Sequence, residues 1–182
     1  MDKKNEYLKK IDNITLDFLN QFENLNEEQI NWKPNSAKWS TAQILEHIIK
    51  TNESYFSIPQ EIKNGSYKLP ITAKIPFLPN IFGKMILAGV NPNRKMKSKT
   101  FTIWEPSFSN FGREIFKNFE NHQKELKKFI EENEDLIMHK TIISSPANRN
   151  LIYTFDTAIN IIIDHEKRHY YQAKETLESF GD

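Results

Sequence analysis

The chain has 182 residues, a length that fits one domain. Its 25 lysines and arginines nearly balance its 24 aspartates and glutamates, and a net charge of +1 argues against a dedicated nucleic-acid binder. The lack of cysteine excludes disulfides, thiolate metal sites and a thiol nucleophile in the protein itself. We therefore expect a single domain over residues 1–182, in which any metal is held by His, Asp or Glu.

The hydropathy pattern predicts neither an export signal nor a membrane span. Polar residues such as Asp12 and Asp17 interrupt the stretch behind MDKKNEYLKK, where a signal peptide would be apolar. No apolar window approaches the roughly 18 residues of a membrane helix, and the mean hydropathy is −0.65. We expect a cytoplasmic protein without a membrane partner.

Two amphipathic helices are predicted in the first third of the chain. Apolar residues recur every three or four positions over 5–23, which predicts helix one. Ser40 followed by Gln43 matches a capping box and predicts the start of helix two, which extends to about Ser57. His47 falls on the apolar stripe of this second helix.

Prolines are concentrated in 60–108, which predicts a long irregular connection with a short helix near 81–88. Connections of this length are usually functional. A positive run in this region comprises Lys84, Arg94, Lys95, Lys97 and Lys99. For this run we favour a covering loop with solvated lysines over contact with nucleic acid or an anionic membrane.

Two further helices complete the predicted fold. Helix three is expected over about 109–132, with Phe111 as the first residue of its apolar stripe and three lysines on its exposed face. The last helix is expected to begin near Asn150, as its cap, and to stop before Gly181. The sequence therefore predicts an all-α antiparallel four-helix bundle, with a long connection between helices two and three.

His165 and His169 are one helical turn apart on the apolar stripe of the last helix, so they can share one metal ion. Imidazole binds zinc, nickel, copper and iron, and bundle interiors are places where such sites form. His47 is the candidate third ligand, and three His with open positions would form a catalytic type of site. A buried histidine is more often a hydrogen-bonded core residue, so the residues alone leave both interpretations open.

Residues 165–169 also read H-E-x-x-H, the zinc-protease helix. We do not assign a protease, because Gln172 and Glu175 stand where the metzincin signature needs Gly and His. Glu166 is predicted as a catalytic general base acting on water at the metal. The alternative is that Glu166 is a charge beside the site or on the surface.

Other polar and aromatic residues receive structural predictions. His122, on the polar side of helix three, and His139, in a loop, are expected to be solvated. Trp39 is expected to pack beside the cap of helix two, and Tyr55 in the core. For Arg168 we favour a salt bridge to a neighbouring helix over binding of an acidic group.

The segment W-S-T-A-Q-I-L-E-H-I at 39–48, followed by H-x-x-R-H-x-x-Q at 165–172, resembles the DinB/YfiT-like superfamily of metal-binding four-helix bundles. The resemblance covers almost the whole chain. It implies that His47, His165 and His169 bind a divalent metal. Zinc, nickel and iron remain equivalent candidates, because imidazole suits all three.

The resemblance further implies either a metal-dependent hydrolase or a thiol S-transferase, in which a low-molecular-weight thiol such as bacillithiol binds the metal and attacks an electrophile. An open coordination position on the metal serves both reactions, because the metal lowers the pKa of a water or thiol bound there. Gln172, one turn beyond His169, is predicted to bind the thiol or the substrate. A non-catalytic stress-response or binding module on the same bundle stays open, as does a homodimer.

Overall fold

The computed structural model describes residues 2–93 and 100–180. The helices are α1 (Lys3–Phe22), α2 (Glu27–Asn31), α3 (Thr41–Glu53), α4 (Ile58–Lys63), α5 (Leu78–Val90), α6 (Glu114–Glu132), α7 (Glu134–Met138) and α8 (Phe155–Glu178). Strands β1 (Ile142–Ser144) and β2 (Ile152–Thr154) pair antiparallel, and Ile71–Lys74 and Thr102–Trp104 form 3₁₀ turns. Among the described helices, no segment combines the length and apolarity that a membrane crossing needs.

Helices α1, α3, α6 and α8 form a four-helix bundle, in which α1 and α3 each pack against both α6 and α8. Their apolar stripes meet in a core rich in phenylalanine and isoleucine. The Phe18 ring, for example, lies 5.0 Å from Phe119 and 5.4 Å from Tyr170. The prediction of an all-α bundle from helical periodicity is confirmed.

The directions of the bundle helices follow from their contacts. Lys3 bonds to Asp156 near the N-termini of α1 and α8, and Phe18 meets Tyr170 farther along, so these two helices run parallel. The contacts Phe18–Phe119 and Asp12–Lys127 show that α1 and α6 run antiparallel. His47–His169 and Asn52–Glu166 show the same for α3 and α8. Asn52 contacts His122, and Phe56, which follows the end of α3, contacts Phe129, so α3 and α6 run parallel. The expected antiparallel packing thus holds for α1–α6 and α3–α8, whereas α3 and α6 are parallel because the long connection returns the chain to the end where α3 begins.

Two helix ends differ from the sequence prediction. The capping box is present, since the Ser40 and Gln43 side chains each accept the other residue's backbone N–H, but α3 ends at Glu53 rather than near Ser57. Helix α6 begins at Glu114 rather than near 109. The backbone of Phe111 is engaged instead by the Asn31 side chain, which accepts its N–H and donates to its carbonyl.

The prediction that the last helix begins near Asn150 is wrong. Residues Ile152–Thr154 form β2, and Thr154 caps α8 by accepting the backbone N–H of Thr157. The apolar residues before the helix fit a strand as well as a helical stripe, so periodicity could not separate the two. Helix α8 ends at Glu178, and Gly181 lies outside the described residues.

The connection between α3 and α6 is more ordered than expected. It contains α5, which is longer than the predicted helix over 81–88 and packs across β2 and α8. Pro79 lies in the first turn of α5, where proline is tolerated because that N–H needs no partner within the helix. A Cβ on Gly83 would lie 3.0 Å from Thr157 Cγ2, so glycine permits this close contact. Of the positive run, Lys84 is exposed on α5, and its other four members lie outside the described residues.

Candidate metal centre

Three histidine side chains converge inside the bundle between α3 and α8. The Nε2 atom of His165 lies 3.3 Å from Nε2 of His47 and 3.0 Å from Nε2 of His169. Zinc binds imidazole nitrogen at about 2.0–2.1 Å, which places two ligands of a tetrahedral site about 3.3 Å apart. Both separations from His165 therefore match ligands around one ion, and the ligand nitrogens of all three histidines lie within 4.8 Å of one another.

Burial keeps these three imidazoles neutral near pH 7. It lowers the pKa of His47 to about 4, and it lowers the pKa values of His165 and His169 well below the ordinary range for histidine. The positive charge of Arg168 acts in the same direction on His165 and His169. Neutral imidazole is the form that ligates a metal, so the site needs no proton release before binding.

The connection before α6 orients the first of these rings. The backbone carbonyl of Trp104 accepts a hydrogen bond from His47 Nδ1 at 2.7 Å, which leaves the lone pair on Nε2, facing the other two histidines. This segment is held to α3, because Lys50 Nζ donates to the Glu105 carbonyl at 2.9 Å and Glu46 accepts the Ser107 N–H at 2.8 Å. Lys50 Nζ also donates to the Ser107 hydroxyl. This role could not be predicted from the residue types, because a backbone carbonyl supplies the contact.

Replacing Lys50 by methionine is expected to weaken metal binding about tenfold while changing the free energy of unfolding by less than about 1 kcal/mol. The variant loses the donors that hold the segment carrying the Trp104 carbonyl, so the His47 ring becomes less well oriented. Calorimetric zinc titration measures the affinity. Lys124→Met is the matched control, because Lys124 pairs with Glu120 on the exposed face of α6. Equal affinities of the two variants would show that this docking does not orient His47.

Trp39 forms one wall of the site as well as packing beside the cap of α3. Its ring centroid lies 4.7 Å from that of His47, and it lies 6.3 Å from the His169 ring in a near-parallel orientation. The Trp39 carbonyl accepts a hydrogen bond from Thr176 of α8. The prediction of a purely structural Trp39 was incomplete, because its ring also shields two of the three histidines.

The three histidines open into a cavity of about 1120 Å³. Side chains of its wall that bear on chemistry are Trp39, Tyr55, Trp104, Tyr153, Arg168 and Gln172. Tyr55 is buried, as expected, and its hydroxyl lies 2.7 Å from that of Tyr153. Arg168 Nη1 donates to the Asn91 carbonyl at 3.1 Å. The cavity is large enough for a small molecule and combines aromatic walls with a few polar groups, as ligand sites do.

Gln172 lies on the cavity wall beside the His169 ring. The residue is partly exposed on the cavity wall. Its side chain lies close enough to the His169 ring to favour the charged imidazole, which opposes the lowering of that pKa by burial. Gln172 therefore adjoins both the candidate ligands and the open space before them.

Glu166 lies in a different environment from the histidines on either side of it. The side chain is fully buried, and its Oε1 accepts hydrogen bonds from Asn52 Nδ2 at 2.6 Å and Gln123 Nε2 at 3.1 Å. Burial raises the pKa of this carboxyl to about 7. Glu166 is not among the residues that line the cavity. Its carboxyl faces α3 and α6, a placement that does not favour a general base acting at the three histidines.

His122 is buried, and the prediction that it is solvated is wrong. It is 3% exposed, its Nε2 lies 3.1 Å from Asn52 Nδ2, and its ring stacks on Phe56. The position is three residues after Phe119 and four before Leu126, a spacing that places His122 on the core stripe of α6. His139, by contrast, is exposed as predicted.

Comparison with known proteins assigns the chain to a family. The family model of the DinB superfamily matches residues 14–173, a stretch that begins within α1, ends within α8 and contains all three converging histidines. Neither the curated proteins nor the solved structures gave a significant match. On the extent of the family match, the chain belongs to the DinB superfamily.

Proposed function

We propose that this chain binds one divalent metal ion through His47, His165 and His169 and uses it in a reaction on a small molecule. The observation that carries the proposal is the convergence of three neutral Nε2 atoms at the wall of a cavity. His47 presents a lone pair on Nε2 to His165, because its Nδ1 donates to Trp104. Without a cation, one N–H of His165 or His169 can relieve only one of the two Nε2 contacts of His165. Three protein ligands also leave a coordination position open, as in catalytic metal sites.

A divalent metal bound there supplies a Lewis acid that lowers the pKa of a water or thiol. The chain's own residues would orient and shield the reactants. The Trp104 carbonyl holds His47, and Trp39 limits the access of bulk water to the rings. We propose that Gln172, on the cavity wall, binds polar groups of the reactants.

Two reactions fit this arrangement: hydrolysis, and transfer of a low-molecular-weight thiol to an electrophile. Because the chain lacks cysteine, the thiol would come from solution. A cytoplasmic location, where such thiols stay reduced, fits this proposal. For Glu166 the buried hydrogen bonds to Asn52 and Gln123 support a structural role, joining α8 to α3 and α6, over the predicted catalytic one.

Activity assays on metal-loaded protein test the proposal and separate the two reactions. Protein loaded with zinc, nickel or iron is incubated with several low-molecular-weight thiols and a chromogenic aryl halide, and separately with ester and amide substrates. We expect turnover in one of the two panels that requires metal and is lost in His169→Ala. Gln172→Ala is expected to raise KM more than it lowers kcat. Protein that binds metal but shows no turnover in either panel would favour the non-catalytic binding module.

A further inference from the structure

A second group of metal-ligating side chains lies between α3 and α6. It consists of Glu53 at the end of α3, and His122 and Glu125 on α6. One ligand atom from each of the three lies within 4.8 Å of the other two. None of these residues lines the three-histidine cavity. The group is therefore separate from the candidate metal centre, although both draw on α3.

His122 presents a buried nitrogen that has no partner. Its Nε2 lies beside the Asn52 amide, whereas its Nδ1 is inaccessible to solvent and has no hydrogen bond. Burial lowers the pKa of His122 to about 4, so the ring is neutral near pH 7. Buried polar atoms without partners are rare in folded proteins and call for an explanation such as an ion or a water.

The two carboxylates of the group take no part in the ion pairs of the described residues. Both glutamates are exposed. Partial burial, with the nearby negative charge of Glu125, raises the pKa of Glu53. A cation between the carboxylates would relieve this repulsion.

We infer that Glu53, His122 and Glu125 form a second divalent-cation site, composed of one imidazole and two carboxylates. Carboxylate ligands suit manganese and similar hard ions, whereas an all-imidazole site suits zinc, nickel or iron. The two sites would therefore differ in metal preference. An ion held by this group would tie the end of α3 to the middle of α6.

Binding through Nδ1 has a structural consequence at Asn52. The ring proton must then sit on Nε2, and the Asn52 amide must turn so that its Oδ1, which has no partner in the structure, accepts that proton. This rotation of the Asn52 amide breaks its hydrogen bond to Glu166, and Gln123 remains as a donor to the Glu166 carboxyl. We therefore expect weaker metal binding here than at the three histidines.

Manganese titration followed by electron paramagnetic resonance tests the second site. The full-length protein first receives one equivalent of zinc, and the signal of free Mn²⁺ then reports how much manganese binds. Wild type and Glu120→Gln are expected to bind one Mn²⁺ per chain with equal affinity. Glu53→Gln and Glu125→Gln are expected to bind it at least about tenfold more weakly, because each loses a charged ligand. Glu53, Glu120 and Glu125 are at the surface, so circular dichroism should show that all three variants keep the fold.

Two results would overturn the inference. One is a wild-type protein that binds no Mn²⁺, and the other is equal affinity of Glu125→Gln and the control Glu120→Gln. Repeating the titration without zinc keeps the test independent of the candidate metal centre. The comparison between the glutamate variants decides the matter even if the three histidines bind no metal.

Discussion

Zinc is expected to raise the midpoint of thermal unfolding of the wild-type protein by roughly 5–10 °C when free zinc exceeds its dissociation constant about 100-fold. The shift arises because the ion binds His47, His165 and His169 where the folded bundle brings them together. Scanning calorimetry with and without zinc measures it. His47→Ala and His169→Ala are expected to lose most of the shift, since each removes a ligand.

His139→Ala is the control for this experiment, because that histidine is exposed and outside the site. It should keep the full zinc-dependent shift. If His47→Ala and His139→Ala responded to zinc alike, the stabilisation would come from binding elsewhere, and the three-histidine site would not explain it.

Acid is expected to destabilise the metal-free protein steeply between about pH 6.5 and pH 4. Burial depresses the pKa values of four histidines, namely His47, His122, His165 and His169. In the unfolded chain each takes up a proton near its ordinary pKa of about 6.5, but in the folded chain it does not. The stability contributed by neutral burial is thus complete above that pKa and is lost as the pH falls, by up to about 1.4 kcal/mol per pH unit for each histidine.

Carboxyls whose pKa is raised by burial act in the opposite direction; they are Glu166, which is fully buried, and the more exposed Glu53 and Asp164. Burial raises the pKa of Glu166 from its ordinary value of 4.5 to about 7, so the folded chain retains this proton more readily than the unfolded chain. Its contribution is complete below the unfolded pKa and is lost as the pH rises toward 7. These three carboxyls offset the four buried histidines only in part, because Glu53 is exposed and Asp164 is half-buried, so the net effect of acid remains destabilising.

Urea unfolding at several pH values between 7 and 5 measures this dependence. His122→Gln is expected to reduce the slope of unfolding free energy against pH by up to about 1.4 kcal/mol per pH unit, because it removes one histidine with a depressed pKa while leaving His47, His165 and His169 in place. His139→Gln should leave the slope unchanged. A wild-type free energy of unfolding that stays constant over this range would contradict the neutral burial of the four histidines.

The bundle helices could be predicted because each carries a regular apolar stripe. Helix α3 was the clearest case, since the Ser40 and Gln43 side chains marked its start. Periodicity failed to predict the starts of α6 and α8, where other interactions replace helical hydrogen bonds. Asn31 engages the backbone of Phe111 before α6, and strand pairing of Ile152–Thr154 delays the start of α8.

The histidine convergence could also be predicted, because the one-turn spacing of His165 and His169 is local and His47 shares an apolar stripe. The residues that surround the three histidine rings could not be predicted. The Trp104 carbonyl comes from a distant connection and carries no side-chain signature. His122 was misassigned because its immediate neighbours in sequence are polar, although its spacing from Phe119 and Leu126 indicated burial.

The most direct test of the central claim is the metal content of untagged protein. Elemental mass spectrometry on wild type, His47→Ala and His169→Ala, purified identically, gives metal ions per chain. Because the second site is expected to be weaker and the measurement is made without added manganese, the account predicts one divalent ion per wild-type chain and its loss in both variants. Wild-type protein that holds no ion after reconstitution with zinc, nickel and iron would contradict it, and the three histidines would then be packing residues.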